Sequence, residues 1–349
     1  MQVDLLDERH YSQAMRKTVL PALDACRSEG WFTASAGSHD LHHHDPGKIH
    51  YVCFDAHAFD ALHISGATAI FRGAVVISHG LTEFAEKFNE LAWYFLLAGY
   101  SVCIIEHRGH GQSARDVADP DLVWIDDWNR YAEDMSYFCS QIAQEYADGL
   151  PLCLFAHSMG GGIGAAVLEQ RPTIFDKAVL SSPMIAPRTG LPNWLAAAFV
   201  SSACAAGFSK RMAPGQRPFV ASARVQDVEN VSASRANWFH ALRMNNMRRH
   251  TSAPTYGWVR ESLKLSHSVL QPGMCARIET PVLVFQSGND DYVLNPPQNR
   301  FVQQVRDGGC PAELIRVDNG PHELYSMPNP AMGPYIDRMI SFFNDPIRL

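Results

Sequence analysis

The fold turns on residues 152–170, LCLFAHSMGGGIGAAVLEQ. A short apolar run ends at Ser158, and glycines follow at once. The run reads as a buried strand and the segment from Met159 as a helix, so Ser158 stands at the turn between them. That is the setting of a nucleophile elbow, whose template is G-x-S-x-G. Here the five residues are A-H-S-M-G. A tight strand-to-helix turn crowds the backbone two residues either side of the serine. Gly160 meets that demand, and Ala156 departs from it by a single methyl. Gly161, Gly162 and Gly164 let the helix pack closely on neighbouring strands. Each glycine costs a helix about 1 kcal/mol relative to alanine, so the cluster points to a steric need. A serine that merely caps a glycine-rich helix is the alternative; the strand–turn–helix context favours the elbow.

The rest of the chain fits a large α/β protein. It has 349 residues, 46% hydrophobic and 19% charged, which suits a packed core. The net charge of −7 is spread without a basic block, which argues against a nucleic-acid partner. The first twenty residues lack the apolar centre of a secretory signal, and no window reads as a spanning helix. The eight cysteines are dispersed, and Cys53, Cys103 and Cys153 sit in strand-like runs as reduced core thiols would. These features lead to an expectation of a cytoplasmic protein. The charge-free stretch 189–209 leaves peripheral contact with the inner membrane face open, although a buried helix is the simpler reading.

Apolar strand-like segments at 51–56, 73–80, 101–107, 152–157, 177–183, 281–287 and 312–318 alternate with helical patterns. That calls for a mostly parallel sheet with helices on both faces. The alternation breaks from 184 to 277, a helical or irregular stretch that reads as a cap inserted into a core formed by 48–183 and 278–349. Residues 1–47 form an extension without an assigned role. The run HDLHHHD, 39–45, has metal-binding residue types, but nothing else completes a site, and neither metal nor cofactor is expected.

A serine hydroxyl needs a base, and the base an orienting carboxylate. In this architecture the order along the chain is Ser, then Asp or Glu, then His. Asp290 and Asp291 follow the strand 281–287, and His322 lies in a Gly-Pro turn after the last strand. The expected triad is Ser158, His322 and Asp290. Asp291 stays open, with Asp290 preferred because it precedes Val293 by three residues. His157 reads as buried on the far side of the elbow. The N–H of Met159, at a helix N-terminus, is placed to hold a developing oxyanion.

The chain resembles the α/β-hydrolase superfamily, and within it the bacterial lysophospholipases and monoacylglycerol lipases. The likeness rests on SHGLTEFAEKFNELAWYFLLAGYSVCIIEHRGHGQSAR, FAHSMGGGIG, PTYGWVRESL and NGPHELY, and it runs from about residue 48 to 343. It implies that the Leu81 N–H is the second oxyanion donor and that Glu83 braces its loop. Glu106 stands where the family usually has Asp, in a structural turn. The likeness also implies a cap that shapes an acyl-chain tunnel. Among the cap aromatics, Trp194, Phe199 and Trp238 are the candidates for its wall. The function so implied is hydrolysis of a monoacyl lipid ester through an acyl-enzyme. A short-chain carboxylesterase, a proline-type aminopeptidase and a non-catalytic binding protein are the alternatives.

Overall fold

The computed structural model describes residues 3–36, 47–221 and 229–346. The 39–45 histidine run lies outside the described residues. Eight strands form one sheet: β1 Arg27–Thr33, β2 Lys48–Phe54, β3 Gly73–Ser78, β4 Tyr100–Ile105, β5 Leu152–His157, β6 Lys177–Ser181, β7 Val282–Ser287 and β8 Ala312–Val317. Their order is β1-β2-β4-β3-β5-β6-β7-β8. β2 pairs antiparallel with both β1 and β4, and every other pairing is parallel. The central strands are buried along their whole length, as near-continuous apolar runs require when both faces are covered.

Alternation along each strand sends side chains to two cores. Val76, Leu154 and Ala156 join one core, and Val75, Ile77 and Phe155 the other. The first core is roofed by helices α2 (Asn129–Phe138), α3 (Met159–Gln170) and α7 (Asn295–Asp307). The second is roofed by α1 (Asn89–Leu97), α8 (Asn329–Asn344) and the N-terminal helical run over residues 11–25.

The sheet therefore begins at Arg27, and the boundary drawn at residue 48 falls within its first hairpin. β1 escapes a reading by pattern because it is an edge strand, exposed at most positions, with Gly30 in its middle. A methyl at Gly30 would lie 2.5 Å from the Tyr51 hydroxyl, so the tyrosine ring would have to shift. Residues 1–47 also acquire contacts. Tyr11 donates a hydrogen bond to Glu90 of α1 (2.8 Å), and Ser232 and Ser234 of the cap donate to Glu8.

The insertion carries α4 (Asn193–Ala203), α5 (Ala233–Met244) and α6 (Tyr256–Ser268). It does not sit on the core as one separate layer. Trp258, Leu265 and Val269 of the α6 region belong to the first core. On α5, Arg235 makes a buried forked ion pair with Glu90, at 2.7 and 2.9 Å, and also donates to the Met327 carbonyl. Only α4 has a small cluster of its own, made by Ala196 and Val200 with Leu263 of α6.

Candidate active site

The elbow forms where β5 meets α3. Ser158 adopts φ 52° and ψ −118°, a left-handed conformation that a residue with a Cβ enters only under constraint, at about 1–3 kcal/mol. The constraint is visible. Its N–H donates to the Ser181 carbonyl (3.1 Å), and its carbonyl accepts from Met184 (2.8 Å) and Gly162 (3.1 Å). The turn drives α3 against the end of β3, so that a methyl at Gly160 would lie 2.2 Å from the Ser78 carbonyl oxygen. The Ala156 methyl is tolerated because the residue facing it is Gly164. A methyl built on Gly164 would come within 3.2 Å of the Ala156 Cβ, a tight approach that the bare Gly164 avoids.

His322 follows β8, and its Nε2 lies 2.8 Å from the Ser158 Oγ. Its Nδ1 lies 2.7 Å from Asp290 Oδ2. A carboxylate only accepts, so Nδ1 carries the hydrogen and Nε2 is free to accept from Ser158. The other Asp290 oxygen accepts the N–H groups of Tyr292 and Val293, each at 2.9 Å. Burial opposes the Asp290 charge, but His322 and these two N–H groups hold its carboxyl below the ordinary value. Asp290, not Asp291, is the carboxylate in contact with His322. Arg188, at the start of the insertion, donates to the Asp290 carbonyl (3.0 Å) and ties this loop to the cap.

The turn after β3 lies against the elbow. Gly80 packs so closely on the elbow that a methyl there would lie 3.1 Å from the Ser158 Cβ. Met159 is the first residue of α3, where an N–H has no partner within the helix. Among the described residues, neither the Leu81 nor the Met159 N–H donates to a protein acceptor. The turn is braced from beneath. Glu83 accepts the Gly80 N–H, and His79 donates from Nδ1 to the Gly80 carbonyl (2.7 Å) while its Nε2 accepts the His107 N–H (3.0 Å).

Lys87 was not singled out by sequence, yet it joins the two sides of the site. It is buried and donates to Glu83 and to Glu323, each at 2.6 Å, and Glu323 is the neighbour of His322. Its ammonium also lies 4.1 Å from the ring centroid of Phe239 on α5. Burial works against the Lys87 charge, but Glu323 and Glu83 raise it above its ordinary value. The Tyr325 hydroxyl completes the cluster by donating to Glu83. The Glu83–Lys87 spacing of four residues was the available signal, but such pairs are usual on solvated helix faces.

His157 is packed 4.8 Å from His322, ring to ring, with its Nδ1 donating to the Ser181 carbonyl. Burial pushes it down to about 3, so at neutral pH it is an uncharged spacer. Glu106 sits under the neighbouring turn, accepting from His50, Ala85 and Gln112. The three cap candidates differ in their surroundings. Trp194 is 72% exposed and Phe199 51% exposed. Trp238 packs on Tyr11 and lies beneath Arg16. Instead Tyr292, also largely exposed, stands beside His322 with ring centroids 4.9 Å apart.

Comparison with known proteins identifies the family. The family described as serine aminopeptidase, S33, matches residues 70–328. Lysophospholipase L2 of Escherichia coli strain K12 is 30% identical over 276 residues, covering 77% of this chain and 80% of that protein. A monoacylglycerol lipase of Mycolicibacterium smegmatis is 30% identical over 224 residues, covering 64% and 71% of the two chains. A thermostable carboxyl esterase from Bacillus coagulans, solved with glycerol, superposes with a TM-score of 0.68 at 15% identity over 91% of this chain and 98% of its own. With the elbow, the parallel sheet and the inserted helices in one chain, this protein belongs to the serine aminopeptidase S33 family and has the α/β-hydrolase fold.

Proposed function

We propose that the protein hydrolyses carboxylic esters of monoacyl lipids, lysophospholipids or monoacylglycerols, through an acyl-enzyme on Ser158. The observation that carries this is the unbroken hydrogen-bond chain from Asp290 through His322 to Ser158 at a strained elbow. Ser158 Oγ attacks the ester carbonyl as its proton passes to His322 Nε2. Asp290 holds the imidazole in the required tautomer and stabilises the imidazolium. The Leu81 and Met159 N–H groups receive the oxyanion. His322 then gives its proton to the departing glycerol oxygen, and the ester C–O bond breaks. Water, deprotonated by His322, attacks the acyl carbonyl; the bond to Ser158 Oγ breaks as His322 returns the proton to that oxygen, and the fatty acid leaves. The ester substrate class is favoured over a peptide because the relatives that cover most of this chain are named lysophospholipase and monoacylglycerol lipase.

Contact with a lipid surface belongs to the same reading. Leu191, Trp194, Leu195, Phe199 and Phe208 all project into solvent from a stretch without charge. The buried face of α4 is only Ala196 and Val200. Aromatic and aliphatic groups displayed in this way suit the headgroup boundary of a bilayer. No helix among the described residues is long and apolar enough to cross one.

A hydrolysis panel tests the function, comparing lysophospholipids, monoacylglycerols, short synthetic esters and an aminoacyl amide. We expect long monoacyl esters to be cleaved best; preferential amide cleavage would overturn the lipid reading. A fluorophosphonate probe should label the wild type and spare Ser158→Ala. An unreactive wild type would mark a binding protein.

A further inference from the structure

A cavity of about 710 Å³ lies at the junction of β1, β2, the turn after β4 and the cap, and none of its walls is a residue of the catalytic chain. Three cations reach into it: Lys48 from β2, Arg115 from the turn, and Arg248 from the cap. Among the described residues none of the three has a carboxylate partner. That is unexpected in a chain with 36 acidic and 29 basic residues. Arg115 is fixed by donating to the Arg248 carbonyl (2.8 Å) and the Thr251 hydroxyl (3.1 Å), while its buried Nη1 has no acceptor. Burial, and after it the charge of Arg248, push Arg115 down to about 10, with Glu106 opposing.

Two acids close to the cavity are already engaged. Glu106 accepts from His50, Ala85 and Gln112, and Glu29 pairs with Arg27. The remaining walls are partly apolar. Trp31 rests on His50 with ring centroids 4.7 Å apart, and Met247 projects from the cap. Cations crowded together without a counter-charge, one with an unpaired buried donor, are the chemistry of a site for a multiply charged oxyanion.

We propose that this cavity binds the phosphate group of an organic phosphate, with Lys48, Arg115 and Arg248 on the anion and Trp31 and Met247 along its apolar body. The phosphate can belong to a soluble ester or to an anionic lipid headgroup. Because Arg248 and Met247 belong to the cap and the other groups to the core, the ligand bridges the two.

The test is calorimetric titration of the full chain with phenyl phosphate, alongside flotation with phosphatidylcholine vesicles with and without phosphatidic acid. Lys48→Gln and Arg248→Gln are the variants, both altering exposed side chains. Saturable phenyl phosphate binding, weakened about tenfold by each variant, is the expected result for a soluble ligand, one charge-assisted contact being lost. Binding only to vesicles containing phosphatidic acid, weakened in the same way, assigns the phosphate to a lipid. Thermal melts verify folding, and turnover of a short soluble ester should stay at the wild-type level. Absence of binding to either probe, or binding that neither substitution changes, overturns the proposal. Neither result bears on the role of Ser158.

Discussion

Asp290→Asn removes one charge and nearly no volume, and the structure dictates how the new amide must lie. In the native side chain Oδ1 accepts two backbone N–H groups, from Tyr292 and Val293, and Oδ2 faces His322. An amide oxygen placed at Oδ2 would turn its NH₂ toward two donors. The NH₂ group is therefore driven to the His322 side, where it donates to Nδ1. The imidazole must then carry its hydrogen on Nε2, facing Ser158 Oγ, and cannot accept the serine proton. Loss of the tautomer lowers kcat by about 10⁴, or about 5 kcal/mol in activation free energy. The assay is kcat on a soluble short-chain ester across pH 6–9, with a thermal melt as control. Asp291→Asn, which removes a carboxylate not bonded to His322, should remain within about threefold of wild type. Asp290→Asn within tenfold of wild type, or Asp291→Asn falling as far as Asp290→Asn, would refute the reasoning.

Gly160→Ala places a methyl 2.2 Å from the Ser78 carbonyl oxygen and should lower stability by about 1–3 kcal/mol and turnover by about 10²-fold, read by denaturant unfolding and kcat. Full activity in that variant would show that the elbow has slack. Glu106 has a folded pKa of about 2, below its ordinary 4.5, because His50 and the Ala85 and Gln112 N–H groups outweigh burial. A depressed carboxyl stabilises the fold above its unfolded value, and that stability is lost as pH falls from about 4.5 toward 2. Glu106→Gln should therefore be less stable than wild type at pH 7 by on the order of 3 kcal/mol, and the gap should close in acid. Arg235→Met leaves Glu90 buried without its cation and should reduce stability by about 3–5 kcal/mol; Glu90→Gln added to it should recover part of the loss in a double-mutant cycle.

The parallel sheet was legible because both its faces are buried, so apolar runs and helices alternate plainly from Gly73 to Ser181. The meeting of Ser158, His322 and Asp290 was legible because each follows a strand, and a parallel sheet brings such positions to one edge. β1 was hidden by its exposure. The cap was misjudged for a related reason. Its aromatics look alike in sequence, but Trp258 is core, Trp238 is held by the N-terminal segment, and Trp194 faces solvent. Lys87 could not be recognised as a bridge because one of its partners, Glu323, lies 236 residues away. Such long-range charge pairing leaves no local pattern.

The Arg235–Glu90 clasp has a consequence for traffic through the enzyme. With α5 riveted to α1, and α6 sharing the main core, the insertion cannot swing aside as a single door. The part outside both main cores is α4, which rests on α6 through Ala196 and Val200 against Leu263, with Ala197, Tyr256 and Val259 packed beside them. That threshold is also where the aromatic groups stand out in water. On the function proposed above, a bilayer would touch the same helix that an arriving acyl chain would pass, which would make docking and admission one event.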